Sequence, residues 1–132
     1  FNLSHCGGLA LLAVARELPL GVDLERVRPR AQLLGIARRV FSAEVCRELE
    51  ALAPEVRLRR FYHYWTALEA RVKAQGDGVF QRLRKGAGES WPLRHWCPAP
   101  NHLAALAAPS LPDTESDWAW LEPAASALGS VT

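Results

Sequence analysis

Apolar and polar positions alternate near the start of the chain, and from about residue 31 the apolar ones recur at spacings of three and four. Phe1-Asn2-Leu3-Ser4 reads as a strand, punctuated by Cys6-Gly7-Gly8. Leu9 to Arg16 is a short apolar run that suits a buried strand, although periodicity alone also allows a helix. After the turn at Glu17-Leu18-Pro19, Leu20, Val22 and Leu24 face one way while Gly21, Asp23 and Glu25 face the other. Three short strands with tight turns predict an antiparallel meander. On this reading the Asp23–Glu25 face carries no apolar packing.

The helical pattern begins after Pro29. One helix is expected over Ala31–Val40, and a second from the N-cap Ser42 to about Leu52, with Glu44 in its first turn. Pro54 is expected to separate the latter from a long helix over residues 57–75, capped by Gly76. In that helix Leu58, Phe61, Trp65, Leu68 and Val72 form an apolar face. Tyr62, Thr66, Glu69 and Lys73 form a second stripe beside it, near the boundary with solvent. A Gly- and Arg-rich connection runs to about Ser90. Strands return near Leu93–Cys97, Leu103–Ala107 and Trp118–Leu121, broken by Pro98, Pro100, Pro109 and Pro112. The prediction is α+β, with helices on one face of an antiparallel sheet, as a single domain over 1–122 with a loose tail at 123–132.

Composition adds little and excludes some classes. The 132 residues carry a net charge of +2, so no general affinity for nucleic acid or membrane is implied. No apolar run is long enough to span a bilayer. Cys6, Cys46 and Cys97 are widely spaced and odd in number, which reads as reduced thiols of a cytoplasmic protein. Methionine is absent, which leads us to expect a processed product or a piece of a longer chain. Only Lys73 and Lys85 are lysines among sixteen basic residues, so Lys73 suggests a need for a compact ammonium.

Asp23 and Glu25, two apart on a strand, project carboxylates from one face, about 6.5–7 Å apart at the backbone. Such a pair suits Mg²⁺, which takes a few carboxylates plus waters and phosphates; a solvated face neutralised by Arg26 and Arg28 is the alternative. Glu69 supplies a third carboxylate and Lys73 a cation one turn beyond. Equally, Glu69 and Lys73 could form an exposed pair at i,i+4. His95, Cys97 and His102 match no closed tetrahedral zinc spacing.

Together these motifs resemble the 4′-phosphopantetheinyl transferases of the surfactin-synthetase-type class. The segments that carry the resemblance are Gly21-Val22-Asp23-Leu24-Glu25 and Trp65-Thr66-Ala67-Leu68-Glu69-Ala70-Arg71-Val72-Lys73, closed by Gly76-Asp77-Gly78. Asn2-Leu3-Ser4-His5 and Phe41-Ser42 add to it. The likeness covers about residues 1–80, with a weaker echo in His102–Ala108. It implies transfer of the phosphopantetheine arm of coenzyme A to a serine of an acyl or peptidyl carrier protein, releasing 3′,5′-ADP. By the same resemblance Asp23, Glu25 and Glu69 would hold Mg²⁺, and Glu69 or a water on the metal would take the serine proton. Lys73 would meet the departing phosphate, and Ser4 and His5 the 3′-phosphate of coenzyme A. Three departures stand out. Leu68 occupies the place of the family's usual lysine, Glu44 follows Phe41-Ser42 one residue early, and the first of the class's two similar halves is largely missing. The resemblance therefore also leaves room for a homodimer. The alternative function is a non-catalytic module of this fold that binds a carrier protein or nucleotide. A Mg²⁺-dependent phosphodiesterase is a further one, lacking an evident water-activating partner.

Overall fold

A computed structural model of the chain describes residues 1–76 and 91–111. Its order is β1 (Asn2–Cys6), β2 (Leu9–Ala13), β3 (Gly21–Arg26), α1 (Leu33–Val40), α2 (Ala43–Ala51), α3 (Pro54–Ala74), β4 (Leu93–Trp96) and β5 (His102–Ala107). The α+β prediction holds. The meander does not: β1 and β2 form a separate antiparallel hairpin, while β3 pairs antiparallel with β5 in a sheet of order β3-β5-β4. Local alternation predicts a strand but not its partner, and the partner of β3 lies about eighty residues away. The expected strand Trp118–Leu121, the 77–90 connection and the 123–132 tail fall outside the described residues.

The helices start and stop for identifiable reasons. Ser42 caps α2 through its hydroxyl, which accepts the Val45 N–H at 3.3 Å. Pro54 begins α3 instead of only preceding it, because a first-turn proline gives up an N–H that has no intrahelical partner anyway. Arg57 then satisfies the last carbonyls of α2, donating to Leu49 O and Leu52 O at 2.8 Å each and to Glu50 O at 3.2 Å. Gly76, at φ 68°, ends α3 as expected and returns its N–H to Lys73 O.

The buried face of α3 is rotated from the one the spacing suggested. Tyr62 and Thr66, placed at the edge by the pattern, are buried, while Leu58, Trp65 and Leu68 are half-buried. Tyr62 and Thr66 tolerate this because each hydroxyl finds a carbonyl: Tyr62 donates to Arg28 O at 3.2 Å and Thr66 to Tyr62 O at 2.9 Å. One apolar cluster joins Ala37, Cys46, Leu49, Phe61 and Tyr62 beneath α1 and α2. A second, of Ala70, Ala74, Ala105 and Ala107, lies where α3 crosses the sheet. Small side chains there let helix and strands approach closely. Closest is Gly21, where a Cβ would stand 2.1 Å from Ala70 O and 2.3 Å from Ala74 N.

The outer face of the hairpin is apolar and open, with Phe1, Leu3, Leu12 and Val14 exposed. At the other end of the sheet, His95 on β4 stacks on His63 of α3, with ring centroids 3.8 Å apart and planes 22° apart. Its Nε2–H donates to His63 O at 3.2 Å. Burial, together with the neighbouring His63, lowers His95 to about 4, and burial and Arg60 lower His63 as well.

Two outcomes follow. Gly21→Ala forces helix backbone off strand backbone, and we expect loss of cooperative folding or a fall of several kcal/mol, on the order of the largest single-site effects, read by urea melts. His95 binds its proton more weakly folded than unfolded, so its contribution to stability is intact above the unfolded value of about 6.5 and falls as pH drops toward about 4. His95→Phe keeps the stack without a titrating ring, and the melting temperature of that variant should fall less than wild type between about pH 7 and about pH 5.

Candidate functional site

Three elements converge on a cleft of about 290 Å³ lined by Leu3, Ser4, His5, Cys6, Asp23, Leu24, Glu25 and Lys73. Its floor is the free edge of β3. That strand has β5 on one side only, so its outward backbone groups need other partners. Asn2 Oδ1 accepts the Val22 N–H at 3.0 Å and Ser4 Oγ accepts the Leu24 N–H at 3.0 Å. From above, Lys73 Nζ donates to Val22 O at 3.1 Å. Side chains of β1 and α3 thus complete an edge that a further strand would otherwise cover.

Asp23 is the centre of the site. It is 5% exposed, because the hairpin and α3 close over it, so neither the alternative of a solvated face nor the expectation of a face without packing holds at Asp23. Lys73 Nζ donates to its Oδ1 at 2.8 Å, and Ser4 Oγ lies 3.4 Å from the same oxygen. The second oxygen, Oδ2, is buried without a hydrogen-bond partner. Lys73 therefore pairs across the fold with Asp23 and not along its helix with Glu69. The reading of Glu69–Lys73 as an exposed i,i+4 pair does not describe this geometry.

Glu25 and Glu69 are half-buried beside this pair. Burial first, and then the Asp23 charge, raise both carboxyls above the usual range, with Lys73 acting in the opposite direction. Glu25 has a fixed partner that the sequence did not reveal: Trp65 Nε1–H donates to Glu25 Oε1 at 3.0 Å. The indole is itself held, stacked on Phe61 at 5.9 Å, with the Arg30 guanidinium 5.3 Å from its centroid. Arg30 also lowers Glu25, after the Trp65 hydrogen bond. An aromatic at helical spacing reads as core; only its distance from a carboxylate forty residues earlier exposes the second role.

Ser4 and His5 both line the cleft but differ in burial, as consecutive strand residues do: Ser4 is buried and His5 is exposed. Among the described residues no three His, Cys, Asp or Glu side chains converge as a metal cluster. The donor set nevertheless fits a hard divalent cation. Asp23 Oδ2 is an orphaned buried acceptor, Glu25 and Glu69 are near enough to feel the Asp23 charge, and the one Lys73 ammonium pairs with Asp23. A larger hollow of about 450 Å³ over Glu55, Val56, Arg59, Arg60 and His63 carries no comparable convergence of buried carboxylates.

Trp65→Phe keeps the stack and removes the N–H. In metal-free protein we expect the Glu25 titration, followed by carboxyl carbon NMR, to move further up, since the lost bond favours the ionised form. An unmoved Glu25 would mean that the indole does not hold it.

A family model described as the 4′-phosphopantetheinyl transferase superfamily matches residues 19–121. Curated relatives agree. The chain is 34% identical over 119 residues to the 4′-phosphopantetheinyl transferase HetI of Nostoc sp., covering 81% of this chain and 50% of HetI. It is 41% identical over 81 residues to the 4′-phosphopantetheinyl transferase AcpT of Salmonella typhimurium, covering 61% and 42%. With a 4′-phosphopantetheinyl transferase of Bacillus subtilis it shares 35% over 79 residues, 60% and 34% of the two chains. The chain thus spans half or less of the length of these relatives.

Proposed function

The chain belongs to the 4′-phosphopantetheinyl transferase superfamily, and on that premise we propose that it transfers the 4′-phosphopantetheine arm of coenzyme A to a serine of an acyl or peptidyl carrier protein. The observation that carries the reading is the convergence of Asp23, Glu25 and Lys73 on one cleft, with Glu69 one helical turn before Lys73. In the reaction the serine oxygen bonds to the phosphorus that bears pantetheine. The bond from that phosphorus to the bridging oxygen breaks, and its electron pair leaves with 3′,5′-ADP.

Asp23, Glu25 and Glu69 would hold Mg²⁺, which supplies charge neutralisation at a pyrophosphate when bound. Glu69 is the residue we assign to the serine proton: its carboxyl is raised by burial and by Asp23, which makes it a better base than an ordinary glutamate. Lys73, held by Asp23, is the cation for the departing phosphate. Trp65 keeps Glu25 oriented through one oxygen and leaves the other free for a cation. Cys6, Cys46 and Cys97 are unpaired, which supports a cytoplasmic setting, and no helix of the described residues is long and apolar enough to cross a membrane.

The test is mass spectrometry of apo carrier proteins incubated with the chain, coenzyme A and Mg²⁺. We expect the serine to gain the phosphopantetheine mass, and chelation of the metal to stop it. Lys73→Arg keeps the charge but replaces a compact ammonium with a planar fork, and should cost at least about tenfold in turnover, or ~1.4 kcal/mol of barrier. Binding of coenzyme A or carrier protein without any turnover would select the non-catalytic module instead.

A further inference from the structure

We propose that Arg30 is a positioning residue for the carboxylate of Glu25, acting through the indole of Trp65. The inference deepens the reading above and rests on it for the cation that Glu25 would hold.

Arg30 lies in the connection from β3 to α1, which is pinned at two backbone points. The Val27 N–H donates to Asn101 O at 2.7 Å, and Arg28 O accepts the Tyr62 hydroxyl at 3.2 Å. Pro29 stiffens the step before Arg30. The guanidinium comes to rest 5.3 Å from the Trp65 ring centroid and 5.9 Å from that of Phe61. Those two rings stack on each other with planes 17° apart. Among the described residues the ion pairs are Arg38–Glu50, Arg60–Glu48 and Lys73–Asp23, so the aromatic pair and not a carboxylate holds Arg30.

Trp65 has one donor, Nε1–H, and it goes to Glu25 Oε1 at 3.0 Å. Turning the ring would lose that bond. A cation against the indole favours the orientation the ring already has, and by drawing electron density toward itself makes the N–H a stronger donor. Neither Trp65 nor Arg30 lines the cleft, so both reach its contents through Glu25.

Charge and orientation predict opposite signs. The Arg30 charge is felt at Glu25. Were charge its whole effect, removing Arg30 would strengthen the binding of a divalent cation. If Arg30 holds the indole, its removal loosens Glu25 and weakens that binding.

Two measurements on the folded chain read the difference. One is the affinity for Mn²⁺, a paramagnetic stand-in for Mg²⁺, from the electron paramagnetic resonance of the free ion. The other is solvent exchange of the Trp65 indole N–H by NMR, its signal identified by its loss in Trp65→Phe, with Trp91 and Trp96 as references in the same spectrum. In Arg30→Ala we expect exchange at Trp65 to rise about threefold and Mn²⁺ affinity to fall about twofold to threefold. Arg30→Met, neutral and of similar length, should behave in the same way. Arg30→Lys keeps a cation that can sit on a ring and should restore most of both losses. Unchanged exchange at Trp65, tighter Mn²⁺ binding in Arg30→Ala, or no rescue by lysine would overturn the inference. An equal rise at Trp65, Trp91 and Trp96 would mean a loosened fold and overturn it too. If wild type binds no Mn²⁺, the metal reading fails, while the exchange rates still decide whether Arg30 holds the indole.

Discussion

Helix α3 can rest on β3 only because residue 21 has no side chain. A Cβ there would overlap the backbone of Ala70 and Ala74, so the helix and strand meet main chain to main chain. Alanines at 70, 74, 105 and 107 extend the same close contact across the sheet. Each contributes less buried apolar area than a leucine, at roughly 25 cal/mol per Å². What is gained is position. Lys73 lies one residue before the contact and Asp23 two residues after it in sequence, so the same approach that seats the helix brings the ammonium onto the carboxylate.

The cleft is therefore a by-product of an incomplete sheet. A free strand edge presents unpaired N–H and C=O groups, an invitation to aggregation unless it is covered. Here the cover is made of side chains: Asn2 and Ser4 from below, Lys73 from above. Side chains can be functional where a further strand could not. The charges are deliberately unbalanced as well. Asp23, Glu25 and Glu69 face one ammonium, with Arg30 at a greater remove on the indole of Trp65. Burial first, and then the Asp23 charge, raise two of the three carboxyls, and one Asp23 oxygen is left without a hydrogen-bond partner.

Much of this could be read from spacing. The long helix, the Ser42 cap, the Gly76 stop and the Asp23–Glu25 strand all have local causes, so a local pattern reveals them. What could not be read depends on partners distant in the chain. Alternation placed Asp23 on a polar face, but nothing in the strand says that β1 and α3 bury that face. The pairing of β3 with β5, and the burial of Tyr62 under the Arg28 carbonyl, are non-local in the same way. Trp65 was legible as an apolar helix position, yet its bond to Glu25 spans forty residues.

The scarcity of lysine finds its explanation in the same geometry. Fourteen of the sixteen basic residues are arginines, and two exposed ones pair with carboxylates, Arg38 with Glu50 and Arg60 with Glu48. At position 73 the acceptors are a carboxylate, a backbone carbonyl and a hydroxyl, contributed by β3 and β1 and gathered around one nitrogen. A tetrahedral ammonium aims three protons at three such points. A guanidinium spreads its donors in one plane over several ångströms and suits a carboxylate or phosphate met edge-on. Replacing the ammonium by that fork would keep the charge and lose the convergence, so the constraint at this position is shape and not charge.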